Sequence, residues 1–322
     1  MSTITTTDVT DVKGSDVFPV RDSEFYKAVE TLVYQGIKAV KSTNTLSGAF
    51  YDYPVGDNGR VIEELIFELA AQKAFVPTAD GVQPDLSPLD PKAHVKYWNN
   101  WERNQFKTSI RDEEIDRMLL RGKSPEDVAS AIIETLTQGE GYDDELKEIA
   151  LFSEGNFTDA KTLLGGAPLN MKGVLYAIRE MASMIHQTND IGGVPCKMSV
   201  DIADIRIAVP SSVKSLIDFT ELANIFNMSV EEIQGHFVEL PCHFGTGLPN
   251  DTDKIFVYDV HHLGRATKYR RFGTDVFNTL MYRNYALNTE KIRLVNGLAK
   301  GLFLDVSAAV TAAMASIIGA GQ

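Results

Sequence analysis

Four side chains have the chemistry for a metal or a nucleophile, and they come as two adjacent pairs, Cys242-His243 and His261-His262. Thiolate and imidazole are zinc ligands, but two neighbours in sequence rarely reach one ion, and the spacing between the pairs fits no standard zinc pattern. His186 and His236 read more simply as polar-face or core histidines. The acidic cluster Asp112, Glu113, Glu114 and Asp116 has the oxygens to hold a cation; beside Arg111 and Arg117 it reads as a solvated helix face. The loop "FGTGLPND" (244–251) lacks the strand, helix and third glycine of a dinucleotide site. "GLAKG" (297–301) lacks the Lys-Ser or Lys-Thr of a phosphate loop, and no G-x-S-x-G or H-E-x-x-H occurs. The one dense basic stretch, "RATKYRRFG" (265–273), is expected to pair with acidic neighbours. No catalytic, cofactor-binding or metal-ligating residue is therefore assigned.

The bulk numbers narrow the field. The chain of 322 residues carries a formal charge of −13, so most of its surface repels a phosphate backbone rather than neutralising it. Two cysteines in this length are no disulfide framework, which points to a reducing folding compartment. The first residues, "MSTITTTDVTDVKGSDVF", have neither the basic nor the apolar region of a signal peptide. The C-terminal stretch "GLAKGLFLDVSAAVTAAMASIIGAGQ" is apolar and small. Its uncharged run from Val306 to Ala320 has 15 residues, against about 20 for a bilayer span. Val306, Val310, Met314 and Ile317 recur at helical spacing instead. Asp305 or Ser307 is its expected cap, with Ala308, Ala309, Ala312, Ala313 and Ala315 allowing close backbone approach.

The elements that position these residues are mixed. Asp22 or Ser23 caps a first helix with Phe25, Val29, Leu32, Val33, Ile37 and Val40 on its apolar face, ended by 42–48. Residues 60–75 have both a helical and a strand pattern. Residues 76–93, with four prolines, read as a loop tip, and 94–110 as a strand. The two arms and the tip make a long hairpin. "RDEEIDRMLLRG" is a short helix. "SPEDVASAIIETLTQG" (124–139) is a helix capped by Ser124, with Pro125 at its first position, a stripe of Val128, Ile132, Ile133 and Leu136, and Gly139 as its stop. "DDELKEIALFS" and 169–187 are further helices. From about 191 strands alternate with helices: 204–210 and 253–260 are strands, "SSVKSLIDFTELANIFN" is a helix, and 290–306 reads as two strands joined near Gly297, Ala299 and Gly301. The class is α+β.

The order of these parts resembles the major capsid proteins of tailed bacteriophages with the Hong Kong 97-type shell fold, particularly those of short-tailed, scaffold-dependent phages. The resemblance covers nearly the whole chain. It is carried by "YDYPVGDNGRVIEELIFELAAQKAF" going out along an extended loop and "HVKYWNNWERNQFKTSIRDEEI" coming back. "SPEDVASAIIETLTQGEGYDDELKEI" looks like a long spine helix, "DIRIAVPSSVKSLIDFTELANIFN" like an axial-domain strand and helix, and "KIRLVNGLAKGLFLDVSAAV" like closing strands. The resemblance implies that 60–75 is mainly strand. It implies an N-terminal arm and helix (1–48), an extended loop (49–112), a peripheral domain with the spine helix (113–160), an axial domain (161–289) and a return to the peripheral domain (290–322).

The function so implied is structural: a subunit that assembles with itself, in pentamers and hexamers, into an icosahedral shell enclosing double-stranded DNA without sequence-specific binding. The expected setting is the virion, with assembly in the host cytoplasm and no membrane contact. No long N-terminal prosegment is seen, which implies a separate scaffolding protein beside a portal. Two alternatives stand: an encapsulin-type nanocompartment shell, and a metal-dependent enzyme using Cys242, His243, His261 and His262.

Overall fold

A computed structural model describes residues 24–39, 46, 48–55, 62–67, 93–111, 114, 117, 121–187, 190–191, 194–195, 200–241, 253–275 and 282–319. The fold is α+β, and it divides into two compact units, each interleaved along the chain. The smaller unit takes the described parts of Met1–Asn44, Trp101–Glu145 and Thr267–Lys291; the larger takes those of Thr45–Asn100, Leu146–Ala266 and Ile292–Gln322.

Among the described residues the first elements are helix α1 (Glu24–Ala39), a short strand β1 (Tyr51–Asp52), and strands β2 (Ile62–Phe67), β3 (Ala93–Trp98) and β4 (Glu102–Arg111). The stretch 60–75, ambiguous by pattern, contains strand β2. It pairs antiparallel with β3 from Ile62↔Trp98 to Phe67↔Ala93. The expected single strand over 94–110 is two, broken at Asn99–Trp101, because β3 pairs with β2 whereas β4 pairs with a strand near the C-terminus. The proline-rich tip lies outside the described residues, as does most of "RDEEIDRMLLRG", of which Glu114 and Arg117 are described and helical.

Helix α2 (Pro125–Ile149) follows. Its start is the expected one: the Asp127 N–H donates to Ser124 Oγ (3.3 Å) while the Ser124 N–H donates to Asp127 Oδ2 (3.0 Å), a reciprocal cap. That backbone hydrogen bond from Ser124 holds the Asp127 carboxyl below its usual range. Gly139 does not stop the helix. It continues through Gly139 and Gly141 to Ile149 and absorbs the separately predicted "DDELKEI", as the resemblance to a spine helix implies. A mid-helix glycine weakens a helix by only about 1 kcal/mol relative to alanine, which tertiary contacts override.

In the smaller unit β4 pairs antiparallel with strand β12 (Tyr282–Val295) from Tyr282↔Arg111 to Lys291↔Glu102, and β12 lies between β4 and strand β11 (Leu263–Asp275). The core joins Val29 and Val33 of α1, Val128, Ile132 and Leu136 of α2, and Tyr285 and Leu287 of β12. Phe106, Ile110 and Phe272 pack against it.

The larger unit holds β5 (Thr158–Asp159), α3 (Met171–His186), the short pair β6 (Asp190–Ile191) and β7 (Val194–Pro195), and β8 (Ile205–Pro210). Helices α4 (Ser211–Lys214), α5 (Phe219–Phe226) and α6 (Val230–His236) follow, then β9 (Phe237–Leu240), β10 (Lys254–Asp259), β13 (Gly301–Asp305) and α7 (Ser307–Gly319). The one helix expected over 211–227 is two. Asp218 restarts it, accepting from the Thr220 and Glu221 N–H groups, because an aspartate cap favours a new helix start over continuation. Five strands run in the order β5-β13-β10-β8-β9. The parallel pair β8–β9 is bridged by α4–α6, a connection long enough for a parallel crossover.

Two-residue alternation sorts this sheet. Ile205, Ile207, Val209, Ile255, Val257, Leu302 and Leu304 face α3, α5, α6 and α7. Ala208, Phe256, Tyr258 and Phe303 face a second core with Leu46, Phe50, Phe152 and Phe157. Covering both faces explains why "IRIAVP" reads as a continuous apolar run. Phe152 is central to the second core, with ring centroids 5.5–6.0 Å from Phe50, Phe157, Phe256 and Tyr258. Strand β13 pairs on one side with Thr158 and Asp159 and on the other with β10, so the closing segment joins chain from both 113–160 and 161–289.

The C-terminal run is helix α7, capped as expected by Asp305, whose carboxylate accepts from the Ser307 N–H (2.9 Å). Among the described residues no helix is long and apolar enough to cross a membrane. Its small residues do not all make close contacts. Ala309 is fully buried with Val306 and Val310 against the α3 core, whereas Ala308, Ala312 and Ala315 are exposed, because only the first turns of α7 reach that core. Ala309→Leu is accordingly expected to overpack the site and cost about 1–3 kcal/mol. Ala312→Leu is expected to change stability by less than about 0.5 kcal/mol. Thermal unfolding of both variants checks the contrast.

Candidate functional site

The residues with metal or nucleophile chemistry do not converge. Cys242 and His243 lie outside the described residues. The His261 and His262 rings have separate partners. His261 Nδ1 lies 2.9 Å from Asp259 Oδ1, and its ring packs against Tyr51 at 4.3 Å between centroids. His262 is buried, with Nδ1 2.9 Å from the Ala299 carbonyl oxygen and Nε2 2.9 Å from that of Asn156. Both of its nitrogens are thus engaged by backbone. Among the described residues no group of three or more His, Cys, Asp or Glu is placed to hold a metal. His186 and His236 likewise serve backbone, at 2.6 Å from the Val200 oxygen and 2.9 Å from the Ile205 oxygen. Glu114, of the acidic cluster, accepts from the Arg111 N–H at 3.3 Å.

Burial pushes the His262 imidazole below its ordinary value, against the pull of the Ala299 and Asn156 carbonyls and the Asp259 charge. A depressed histidine binds fewer protons folded than unfolded, so its contribution is complete above the unfolded value near about 6.5 and is lost as pH falls through the folded one. Wild type is therefore expected to lose stability between about pH 7 and about pH 5 more steeply than His262→Gln, read as urea midpoints across that range.

The basic stretch is where the structure concentrates charge, and it pairs with acids as expected. In the larger unit Arg265 meets Asp52 at 2.6 Å and Glu148 at 3.2 Å. In the smaller unit Lys268 meets Glu290 at 3.4 Å, and Arg270 meets Glu140 at 2.7 Å. Lys291 completes that cluster, 2.6 Å from Glu140 and 2.5 Å from Asp144. Glu140, Asp144 and Glu148 follow one another at four-residue steps on α2, continuing the stripe of Val128, Ile132 and Leu136. The inward face of one helix thus changes from apolar to acidic after Leu136. All three acids are buried, and buried charges persist only when paired.

The β2–β3 ribbon is the other distinctive element. It is a two-stranded sheet of its own. At its base Ile62 is buried, Trp98 lies 6.0 Å from Tyr53 between ring centroids, and the Lys96 ammonium sits 5.5 Å from the Trp98 ring centre.

These features build a scaffold of buried ion pairs and a separate ribbon, with no converging catalytic group among the described residues. The sequence profile of the Phi29-like phage major capsid protein family matches residues 17–296. The chain belongs to that family. This capsid protein forms the shell of a tailed phage; it is a structural component of the virion rather than an enzyme, and the nanocompartment reading gives way to the phage one.

Solved structures place the capsid protein in the Hong Kong 97-type fold. It is similar to the capsid of Staphylococcus phage Andhra, at a TM-score of 0.53 and 10% identity over 83% of this chain and 85% of that one. Similar values relate it to Mycobacterium phage Che8 (0.50, 9%, 83% and 93%) and to the capsid of Cyanophage P-SCSP1u (0.50, 12%, 82% and 89%). No curated protein matches it. At such identities the likeness carries fold alone.

Sequence reasoning missed the acidic half of the α2 stripe and strand β11. A usable signal was present: acids at i, i+4 and i+8 in register with an apolar stripe.

Proposed function

We propose that this capsid subunit builds an icosahedral shell of pentamers and hexamers around double-stranded DNA, in the host cytoplasm, with a separate scaffolding protein and a portal as partners. Its DNA contact is non-specific, in keeping with a charge of −13. The division we propose is an arm and helix at 1–48, an extended loop at 49–112, a peripheral domain at 113–160, an axial domain at 161–289 and a closing segment at 290–322. The scaffold requirement rests on the resemblance to scaffold-dependent short-tailed phages.

The observation that carries the subunit's mechanism is the β2–β3 ribbon, which pairs only with itself among the described residues. A two-stranded ribbon is at best marginally stable alone in water. A neighbouring subunit supplies the surface that makes it useful, which extends contact beyond the globular body toward the areas of obligate assemblies, above roughly 2,000 Å².

Electron microscopy of the expressed chain, with and without a candidate scaffold from the same genome, tests this reading. Uniform closed shells with scaffold, and aberrant or open particles without it, are expected. Uniform shells of one size in both preparations would remove the scaffold from the account.

A further inference from the structure

We propose that the C-terminal half of α7 is an interaction surface for a second copy of this chain, contacted through Met314, Ile317 and Ile318. The inference rests on the chain forming a shell with itself. It begins with a mismatch of lengths. Val306, Val310, Ala313 and Ile317 recur at helical spacing, with Met314 and Ile318 beside them. Only the start of that stripe is used inside the subunit: Val306, Ala309 and Val310 are buried against the α3 core, and Ala313 is half-buried. Met314, Ile317 and Ile318 are then 48%, 58% and 65% exposed. The apolar stripe thus continues past Val310 for about two helical turns, or roughly 10 Å, after the core has ended.

The helix itself adds no charge to this surface. Ser307–Gly319 contains no Asp, Glu, Lys or Arg, in a chain whose composition is 23% charged. Two of its hydroxyls are satisfied locally: Ser307 Oγ donates to Asp305 Oδ1 at 2.6 Å, and Ser316 Oγ to the Ala313 carbonyl oxygen at 2.7 Å. A surface helix ordinarily turns charged residues to water. Here Ala308, Thr311, Ala312 and Ala315 are exposed instead, small and neutral. Exposed hydrophobes scattered singly are ordinary, whereas contiguous ones mark interaction sites.

The occupant follows from what the subunit is. Interfaces that form once and persist are apolar and resemble a core cut in two. A stripe that begins inside the core and ends outside it has that form. Surfaces for passing partners are no more apolar than the protein surface at large. The permanent neighbour of a shell subunit is another copy of itself. Charge agrees with this choice. Each copy carries −13, so approach through most of the surface meets like charge, and approach through an uncharged helix does not. A polyanion gains nothing from α7, which offers it no cation.

The full chain carrying Ile317→p-benzoylphenylalanine, irradiated in shells and as dilute subunits, reads the occupant directly. Two linked full-length chains are expected in shells, and unlinked monomer in the dilute sample. Links confined to one chain, or made to a scaffolding protein, would overturn the proposal. The double variant Ile317→Gln with Ile318→Gln reads what the contact contributes. Shell yield by sedimentation is expected to fall roughly tenfold or more, since burying an isoleucine at each contact carries at least that factor. Thermal unfolding of the variant subunit should match wild type, because both side chains are exposed in it. Ala312→Gln with Ala315→Gln, on the opposite side of α7, should leave yield within about twofold, as substitutions away from a contact do. Wild type is assembled in parallel, so a failure of assembly itself is visible in the control. Wild-type yield from the isoleucine pair would overturn the proposal. A matching loss of subunit stability would also overturn it, by placing the stripe against its own chain.

Discussion

Lys291→Met is expected to destabilise the folded subunit by about 3–5 kcal/mol at neutral pH, the cost of leaving a buried charge without its partner. Lys291 Nζ stands between Glu140 and Asp144, with side-chain exposures of 10%, 1% and 6%. Methionine preserves the stem and its packing but removes the ammonium. Two carboxylates on successive turns of α2 then lose the ammonium they share, while Arg270 stays 2.7 Å from Glu140. Arg103→Met supplies the contrast. Its pair with Glu290 is 3.4 Å long and the arginine is 76% exposed, so solvent screening holds its value to about 0–1 kcal/mol. Adding Asp144→Leu to Lys291→Met should recover much of the loss, since one of the two buried carboxylates that lost the ammonium goes with it. Urea unfolding of the purified subunits reads all three. Equal losses from Lys291→Met and Arg103→Met would mean that the α2 cluster is hydrated and the burial argument wrong.

That cluster also marks how far local patterns reach. Ser124, Pro125, Val128, Ile132 and Leu136 announce α2 because cap, first turn and stripe all lie within a dozen residues. The acids that extend the stripe find their partners across sequence separations of 147, 130 and 117 residues, and no local pattern encodes that. "GEGYDDELKE" accordingly looks like a break followed by a solvated helix, and Gly139 like a stop. The double duty of β8, β10 and β13 was more legible, since a sheet covered on both faces leaves a plain apolar run. Residues 60–75 have two periodicities at once; the resemblance implies strand, and pairing with β3 selects it over Ile62–Phe67. The candidate site suffered most. Assembly surfaces leave no constellation of reactive side chains, so the sequence offered two Cys-His and His-His doublets whose described members turn out to bind backbone and carboxylate.

Gly301 stands at a strand junction legible in the sequence, whereas nothing local marks Gly264, where an added methyl would meet the nearer obstacle, 2.3 Å against 2.6 Å. Gly264 lies where β11 pairs in parallel with Tyr51 of β1. A methyl group there would come within 2.3 and 2.7 Å of two ring carbons of Tyr53 and 2.8 Å of a Leu294 methyl. Tyr53 cannot easily yield. It is buried, its ring packs edge-on against Tyr51 at 4.8 Å, and its hydroxyl accepts from the Asn296 amide at 3.3 Å. Gly264→Ala should therefore cost about 3 kcal/mol, at or beyond the upper end for overpacking a well-filled site. Gly139→Ala is the matched control: a methyl at that helix position meets only a Phe106 ring carbon at an ordinary 3.7 Å. It should stabilise by roughly 0.5–1 kcal/mol, through better helix propensity and a less flexible unfolded chain. The signs of the two changes are opposite although the chemistry is the same. If Gly264→Ala unfolds at the wild-type temperature, Tyr53 has room to move, and the contact between β1 and β11 is looser than its distances say.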